Sequence, residues 1–188
     1  MSEIEQIRRR EGFAFFAAFA ATVPLANWLI GNVGTFCVPN GPCVIPVGFG
    51  LTAPSGVLAV GVALVLRDLV QRRLGVKWSI FAIAVGAALS ATFAPPALVV
   101  ASTVAFLLSE IADLSVYTPL QRRRLMLAVL ASGVVGLIVD SIVFLWLAFG
   151  SLDFLAGQVV GKSWAVLVSL PLIYVLRRRD IVKGLMPA

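Results

Sequence analysis

Histidine is absent from this sequence, and charged residues are scarce. The 188 residues include no His, 9 Asp+Glu, and 13% charged residues in all. Because His is the commonest general base and metal ligand, its absence argues against zinc catalysis and His-activated nucleophiles. Neither a G-x-S-x-G nucleophile motif nor a G-x-x-x-x-G-K-[ST] ATP-binding loop occurs. The sequence therefore predicts a protein that is not an enzyme and that has no cofactor or metal site.

Two long stretches of the chain carry no charge at all. Residues 12–66 and 78–109 contain no Asp, Glu, Lys or Arg, and 60% of the chain is apolar. A soluble domain is roughly 45–50% apolar, and a small chain lacks the interior to bury such an excess. A spanning helix needs about 20 apolar residues. We predict an all-α integral membrane protein whose single transmembrane domain, residues 1–188, has six helices at about 13–30, 51–70, 78–94, 97–118, 125–149 and 154–176.

Basic residues occur in short clusters between the apolar blocks. The clusters are Arg8–Arg10; Arg72, Arg73 and Lys77; Arg122–Arg124; and Arg177–Arg179 with Lys183. With six spans, all four clusters lie on one face, which the positive-inside rule assigns to the cytoplasm. We therefore expect a multi-pass membrane protein with both termini in the cytoplasm. This placement also accounts for the net charge of +6 without a nucleic-acid partner.

Both cysteines, Cys37 and Cys43, lie in the loop between the first two predicted helices. The predicted topology places that loop outside. An oxidising compartment allows the pair to close a disulfide. Two free thiols are the alternative.

Six charged residues fall within or at the edges of the predicted spans: Arg67, Asp68, Glu110, Asp113, Asp140 and Lys162. Such charges are costly in a membrane unless they are paired or wet, so they usually mark a pathway or a site. At about 1.5 Å of rise per residue, the six separate into an outer and an inner polar layer. The outer layer holds Asn27, Asp140, Gln158 and Lys162. The inner layer holds Arg67, Asp68, Gln71, Glu110, Asp113 and Tyr117.

Each charged group also has a purely structural interpretation. Asp140 and Lys162 would then be a buried pair that fixes helix register, and Arg67 would snorkel to the interface. Glu110 and Asp113 are harder to explain in this way. They share one helix face, and two carboxylates on one intramembrane face need a cation, a proton or a donor-rich ligand.

Together the intramembrane groups indicate a ligand class. Four carboxylates against two basic groups suit a neutral or cationic ligand that is rich in hydrogen-bond donors. A carboxylate binds two adjacent N–H groups well, and a neighbouring Lys or Gln binds a carbonyl. Trp28 and Phe144 are candidates to stack on a flat ring. This combination fits a guanine-like edge.

A resemblance covers nearly the whole chain. Its blocks, in order, are Ala26-Asn27-Trp28; Ile45-Pro46-Val47-Gly48; Ala53-Pro54-Ser55-Gly56-Val57; Leu66-Arg67-Asp68 with Gln71 and Gly75; Ala101-Ser102 through Ala105-Phe106; Ser109-Glu110 with Asp113 and Tyr117; Val139-Asp140-Ser141 with Phe144; and Gly157-Gln158 with Lys162. With these blocks the chain resembles the queuosine precursor transporter family, also called the vitamin uptake transporter family. The resemblance implies a six-helix importer of 7-deazaguanine compounds such as preQ0 or preQ1.

The resemblance also implies that these polar residues line the substrate path. Glu110 or Asp140 would accept hydrogen bonds from the ring N–H and exocyclic amine, and Lys162 and Gln158 would donate to the ring carbonyl, with Asn27 assisting. Arg67, Asp68 and Gln71 would form a cytoplasmic gate or a helix clamp. The expected partners are the 7-deazaguanine and the lipid bilayer, with a homodimer as a further expectation.

Three alternatives stand beside the importer. The first is a substrate-binding subunit of an energy-coupling-factor transporter, which would dock its partner through small residues such as Ala14 and Ala18. The second is an intramembrane enzyme that uses Glu110 and Asp113. The third is a purely structural membrane protein, which six intramembrane charges disfavour.

Overall fold

The computed structural model describes residues 3–39 and 41–185 and contains six long helices. The helices are α1 Glu3–Asn32, α2 Val57–Leu74, α3 Val76–Phe93, α4 Val99–Leu120, α5 Leu125–Phe149 and α6 Leu155–Lys183. A single 3-10 turn, Pro96–Leu98, precedes α4. The six helices correspond one to one with the six predicted segments, and α5 has the predicted bounds.

Two helices are longer than predicted. Helix α1 begins at Glu3 instead of 13, and α6 continues to Lys183 instead of ending at 176. The added turns carry Glu and Arg, which are good helix formers, so the helix continues beyond the apolar segment. Both helices therefore project charged turns from the same end of the bundle.

The connection between α1 and α2 corrects the expectation of a purely helical chain. It contains three short antiparallel strands, β1 Phe36–Cys37, β2 Cys43–Gly48 and β3 Leu51–Pro54, in the order β1-β2-β3. Because β3 pairs with β2, the second helix starts at Val57 and not at 51. The residues between Pro42 and Pro54 include the β-branched Val44, Ile45, Val47 and Thr52, which favour strands.

The sheet is fastened to the helices by close backbone contacts. Ser55 Oγ donates to the carbonyl of Leu29, 2.6 Å away. Trp164 Nε1 donates to the carbonyl of Val47 at 2.9 Å. A Cβ built on Gly157 would lie 1.9 Å from the carbonyl oxygen of Thr52, so only glycine allows α6 to approach β3 this closely.

The helices alternate in direction between two ends of the bundle. At the sheet end, Ile30, Leu98 and Phe144 pack into one cluster, and Gly157 of α6 touches β3. At the opposite end, which we call the basic end, Arg73 of α2 contacts both Glu11 of α1 and Asp180 of α6. Gln71 Nε2 donates to Thr118 Oγ1, which brings the end of α4 to the same place.

Five helical segments are long and apolar enough to cross a membrane: Ile4–Asn32, Val76–Phe93, Pro96–Leu120, Leu125–Phe149 and Leu155–Lys183. Helix α2 is not among them, because its second half carries Arg67, Asp68, Arg72 and Arg73. The outward faces of the five apolar segments expose large apolar side chains: Val168 of α6 is 75% exposed and Trp146 of α5 is 62% exposed. Apolar surface of this extent is expected of a multi-pass membrane protein.

The interior carries the polar groups instead. Arg67, Lys162, Glu110 and Asp113 are at most 1% exposed. Apolar residues outside and charged residues inside reverse the arrangement of a soluble domain. Buried charges of this kind must be paired, so their partners identify the candidate site.

Candidate functional site

A cavity lies at the sheet end of the bundle, between all six helices. Its volume is about 80 Å³. Six of the predicted site residues line it: Asn27, Glu110, Asp140, Phe144, Gln158 and Lys162. Predicted site residues from the first, fourth, fifth and sixth helices therefore meet at one place, as a binding site requires.

Lys162 organises the polar wall of the cavity. Its Nζ donates to Asp140 Oδ2 at 2.6 Å, to Ser141 Oγ at 2.8 Å and to Gln158 Oε1. An ammonium group has three protons, and here all three are directed at protein oxygens. The ammonium is thereby satisfied without a ligand, which makes Lys162 an orienting group in this conformation.

Because Lys162 donates to protein oxygens, Gln158 is left as the side chain that can donate a hydrogen bond to a ligand. Because Gln158 Oε1 accepts from Lys162, the amide NH₂ group is the part of the side chain left to donate. Asp140 uses Oδ2 for Lys162 and remains 8% exposed. An amide donor and a carboxylate acceptor thus stand side by side in the cavity.

The aromatic residues near the cavity differ from the predicted pair. Phe144 and Phe106 both line the cavity. Trp28 is 55% exposed on the outer surface of α1 and is not a lining residue. Its orientation follows from helix periodicity, because its neighbour Asn27 faces inward and one residue turns the side chain by about 100°.

Sequence reasoning also missed several lining hydroxyls. Ser90, Ser102 and Ser109 all line the cavity, as does Thr22. Ser102 and Ser109 occur in the blocks that carry the family resemblance, but Ser90 had no such signal. Small hydroxyl residues are common in helices that pack closely, so composition alone does not distinguish them.

A buried ionic cluster lies directly below the cavity, toward the basic end. Arg67 Nε donates to Glu110 Oε2 at 2.8 Å, and Nη2 donates to Asp113 Oδ1. Arg67 Nη1 lies 3.1 Å from Asp68 Oδ1 and 3.2 Å from Gln71 Oε1. Arg67 itself is 0% exposed, so it does not snorkel to the interface.

Arg67 also contacts Tyr117, whose ring centroid lies 5.8 Å from the guanidinium carbon. Four of the remaining predicted residues, Asp68, Gln71, Asp113 and Tyr117, thus surround Arg67 and do not line the cavity. Glu110 alone belongs to both groups, since it lines the cavity and accepts from Arg67. The predicted inner and outer layers are therefore joined through one carboxylate.

A second ionic cluster at the basic end had not been predicted. Asp180 of α6 accepts from Arg72 and Arg73 of α2, and Glu11 of α1 accepts from Arg73 and Arg179. Arg72 and Arg73, which the sequence predicted to belong to a basic cluster on the cytoplasmic face, are 6% and 1% exposed. Because their partners are distant in the sequence, no local pattern indicates the contacts.

Cys37 and Cys43 are joined by a disulfide between β1 and β2. It lies away from the cavity, in the outermost part of the sheet. Among residues 3–39 and 41–185, no group of three or more His, Cys, Asp or Glu is placed to hold a metal ion.

Residues 87–176 match the family model described as "Putative vitamin uptake transporter". The matched segment runs from the middle of α3 to α6 and includes Glu110, Asp113, Asp140 and Lys162. No curated protein and no solved structure matched the chain. The match covers 90 of the 188 residues, so over this part the chain is similar to a family described as putative vitamin uptake transporters.

Proposed function

We propose that this protein imports a 7-deazaguanine queuosine precursor, such as preQ0 or preQ1, across the bacterial inner membrane. The observation that carries the proposal is the cavity, in which a carboxylate acceptor, an amide donor and an aromatic ring converge inside an apolar bundle. The family match to a vitamin uptake transporter supports transport as the activity. The resemblance carried by the sequence blocks supports the deazaguanine class.

The proposed topology has six spans with both termini in the cytoplasm. Helix α2 runs alongside α1. Gly56, at the start of α2, lies next to Ala26, and Leu74, at its end, lies next to Gly12. Its 18 residues extend about 27 Å, close to the roughly 30 Å of the hydrocarbon core. The charges of α2 face the interior and are neutralised there. The four basic clusters then lie at the basic end, which the positive-inside rule places in the cytoplasm.

Recognition in this proposal uses the edge of a guanine-like ring that carries the carbonyl, the ring N–H and the exocyclic amine. Asp140 or Glu110 accepts from the ring N–H and the exocyclic amine, the bidentate pairing that a carboxylate favours. The Gln158 amide donates to the ring carbonyl, held in that orientation by Lys162. Phe144 and Phe106 contact the ring faces, and Asn27 contributes a further polar group.

Rescue of queuosine synthesis in cells tests this proposal. Bacteria that lack preQ0 synthesis and their own importer would express this protein and receive nanomolar preQ0 or preQ1, and queuosine would be measured in their transfer RNA. We expect rescue by the wild type and by Asp153→Asn, an exposed carboxylate outside the cavity. We expect none with Asp140→Asn, at equal membrane abundance. Full rescue by Asp140→Asn, Glu110→Gln and Lys162→Met alike would overturn the site assignment.

One observation favours the second candidate, the substrate-binding subunit of an energy-coupling-factor transporter. Ala14, Ala17, Ala18 and Ala21 are all exposed on α1. Small residues on one helix face allow a partner helix to approach closely. Transport by the purified protein in liposomes, without an ATPase partner, would argue against this candidate. Transport only after such a module is added would favour it.

A further inference from the structure

The carboxylates around Arg67 outnumber the charge that Arg67 supplies. Asp68, Glu110 and Asp113 all contact this one guanidinium, and each is at most 1% exposed. The three carboxylates would carry three negative charges against one positive charge, with no water-exposed surface to disperse the difference. Carboxylates removed from water and placed beside like charges bind protons.

Two atoms within this cluster identify where a proton would be held. Asp68 and Asp113 contact the two terminal nitrogens of one guanidinium, Nη1 and Nη2 of Arg67, so their carboxyl groups lie close together. Oδ2 of Asp113 is buried and receives no hydrogen bond, and Oδ1 of Asp68 receives none either, although Arg67 Nη1 lies 3.1 Å from it. An ionised carboxylate only accepts, so two adjacent carboxyl groups can bond to each other only when one of them carries a proton.

The titratable and polar groups around the pair come from three helices. From α5, Ser132 Oγ donates to Asp68 Oδ2 at 3.2 Å. From α4, Glu110 and the buried Tyr117 contact Arg67, and on α2 Arg72 is paired with Asp180. Asp140 and Lys162 pair with each other nearer the cavity. Among the described residues, the cation in contact with both Asp68 and Asp113 is Arg67.

We propose that Asp68 and Asp113 hold one shared proton, that the cavity loads this proton through Glu110, and that import is coupled to protons moving in the same direction as substrate. The coupling part rests on the proposed function, whereas the shared proton does not.

The position of the groups gives the direction. Glu110 lines the cavity, and Asp113 is three residues closer to the basic end on the same face of α4. Both accept from Arg67, which ties their charges together. The transfer takes place after the pair has released its proton toward the basic end, when both Asp68 and Asp113 are ionised. The O–H bond on Glu110 then breaks as an O–H bond forms on Asp113, and Glu110 takes the negative charge that Asp113 loses. A proton on this path moves from the cavity toward the proposed cytoplasmic end.

Infrared spectroscopy tests the shared proton without any ligand. The purified wild-type protein at neutral pH should show the C=O stretch of a protonated carboxyl group, shifted by deuterium. Asp113→Asn and Asp68→Asn should each lose this band, whereas Asp140→Asn should keep it. The proposal is overturned if the wild type has no such band, or if the band survives in both Asp113→Asn and Asp68→Asn. Size-exclusion profiles identify any variant that fails to fold.

Proteoliposomes test the coupling. With the membrane potential clamped and the outside one pH unit more acidic, one proton per ligand predicts about tenfold accumulation of neutral preQ0. Asp113→Asn should equilibrate preQ0 without accumulating it. Equal inside and outside concentrations in the wild type would overturn the coupling while leaving the importer intact. No preQ0 entry at all would refute the proposed function, and the infrared result would still decide the shared proton.

Discussion

Removing the charge of Asp180 should destabilise the basic end of the bundle. Asp180 is 2% exposed. Its Oδ2 accepts from Arg72 Nε at 3.1 Å, from Arg72 Nη2 at 2.9 Å and from Arg73 Nη1 at 2.9 Å. Its Oδ1 accepts from Arg73 Nη2 at 2.7 Å. The change Asp180→Asn keeps the side-chain volume but leaves two buried guanidinium groups without this anion.

The size of the effect follows from the burial of the pair. Breaking a buried ion pair by removing one partner costs about 3–5 kcal/mol. Because Glu11 still accepts from Arg73, we expect the lower figure, about 3 kcal/mol. At about 2–4 °C per kcal/mol for a chain of this size, the unfolding midpoint should fall by about 6–12 °C.

Thermal unfolding in detergent, followed by fluorescence-detected size exclusion, measures this fall. The matched control is Asp153→Asn, the same chemical change at an exposed carboxylate between α5 and α6. Its midpoint should stay within about 1 °C of the wild type, since exposed charges contribute little. Equal midpoints for Asp180→Asn and Asp153→Asn would refute the stabilising role of the Asp180 ion pairs at the basic end.

Two further substitutions test the packing of the sheet end and the choice of aromatic residue. Gly157→Ala places a Cβ 1.9 Å from the Thr52 carbonyl oxygen; we expect about 1–3 kcal/mol of destabilisation and weaker ligand binding, whereas Gly31→Ala, with nothing within 4 Å, should change neither. Phe144→Ala should reduce uptake because it removes an aromatic ring from the cavity wall. Trp28→Ala should leave uptake unchanged because Trp28 lies outside the cavity. Loss of uptake with Trp28→Ala but not with Phe144→Ala would contradict the lining of the cavity.

Much of the helical architecture could be read from the sequence, because charge-free apolar runs and basic clusters are local signals. Helix α5 has the predicted bounds, and the six predicted segments appear as six helices. The sheet was missed because Leu51–Pro54 is apolar and directly precedes a helix. Its strand character depends on pairing with β2, which composition does not reveal.

The sequence predicted which residues belong to the polar interior better than it predicted which side chains contact each other. The sequence indicated that Glu110 and Asp113 need a cation, a proton or a ligand, and the structure places Arg67 between them. Helix periodicity grouped residues within one helix but could not show which helices meet. The separation of the cavity from the Arg67 cluster, and the contact of Asp180 with α2, depend on helix packing.

Equilibrium binding to the purified protein tests the central claim most directly. Calorimetric titrations would compare preQ0, preQ1, queuine and guanine on the wild type, on Asp140→Asn and on Asp153→Asn. We predict saturable one-site binding of a 7-deazaguanine to the wild type and to Asp153→Asn. Asp140→Asn should weaken it by about 1.5–3 kcal/mol, as expected for a lost hydrogen bond to a charged group. Binding of no deazaguanine, or equal binding by the wild type and Asp140→Asn, would contradict the account.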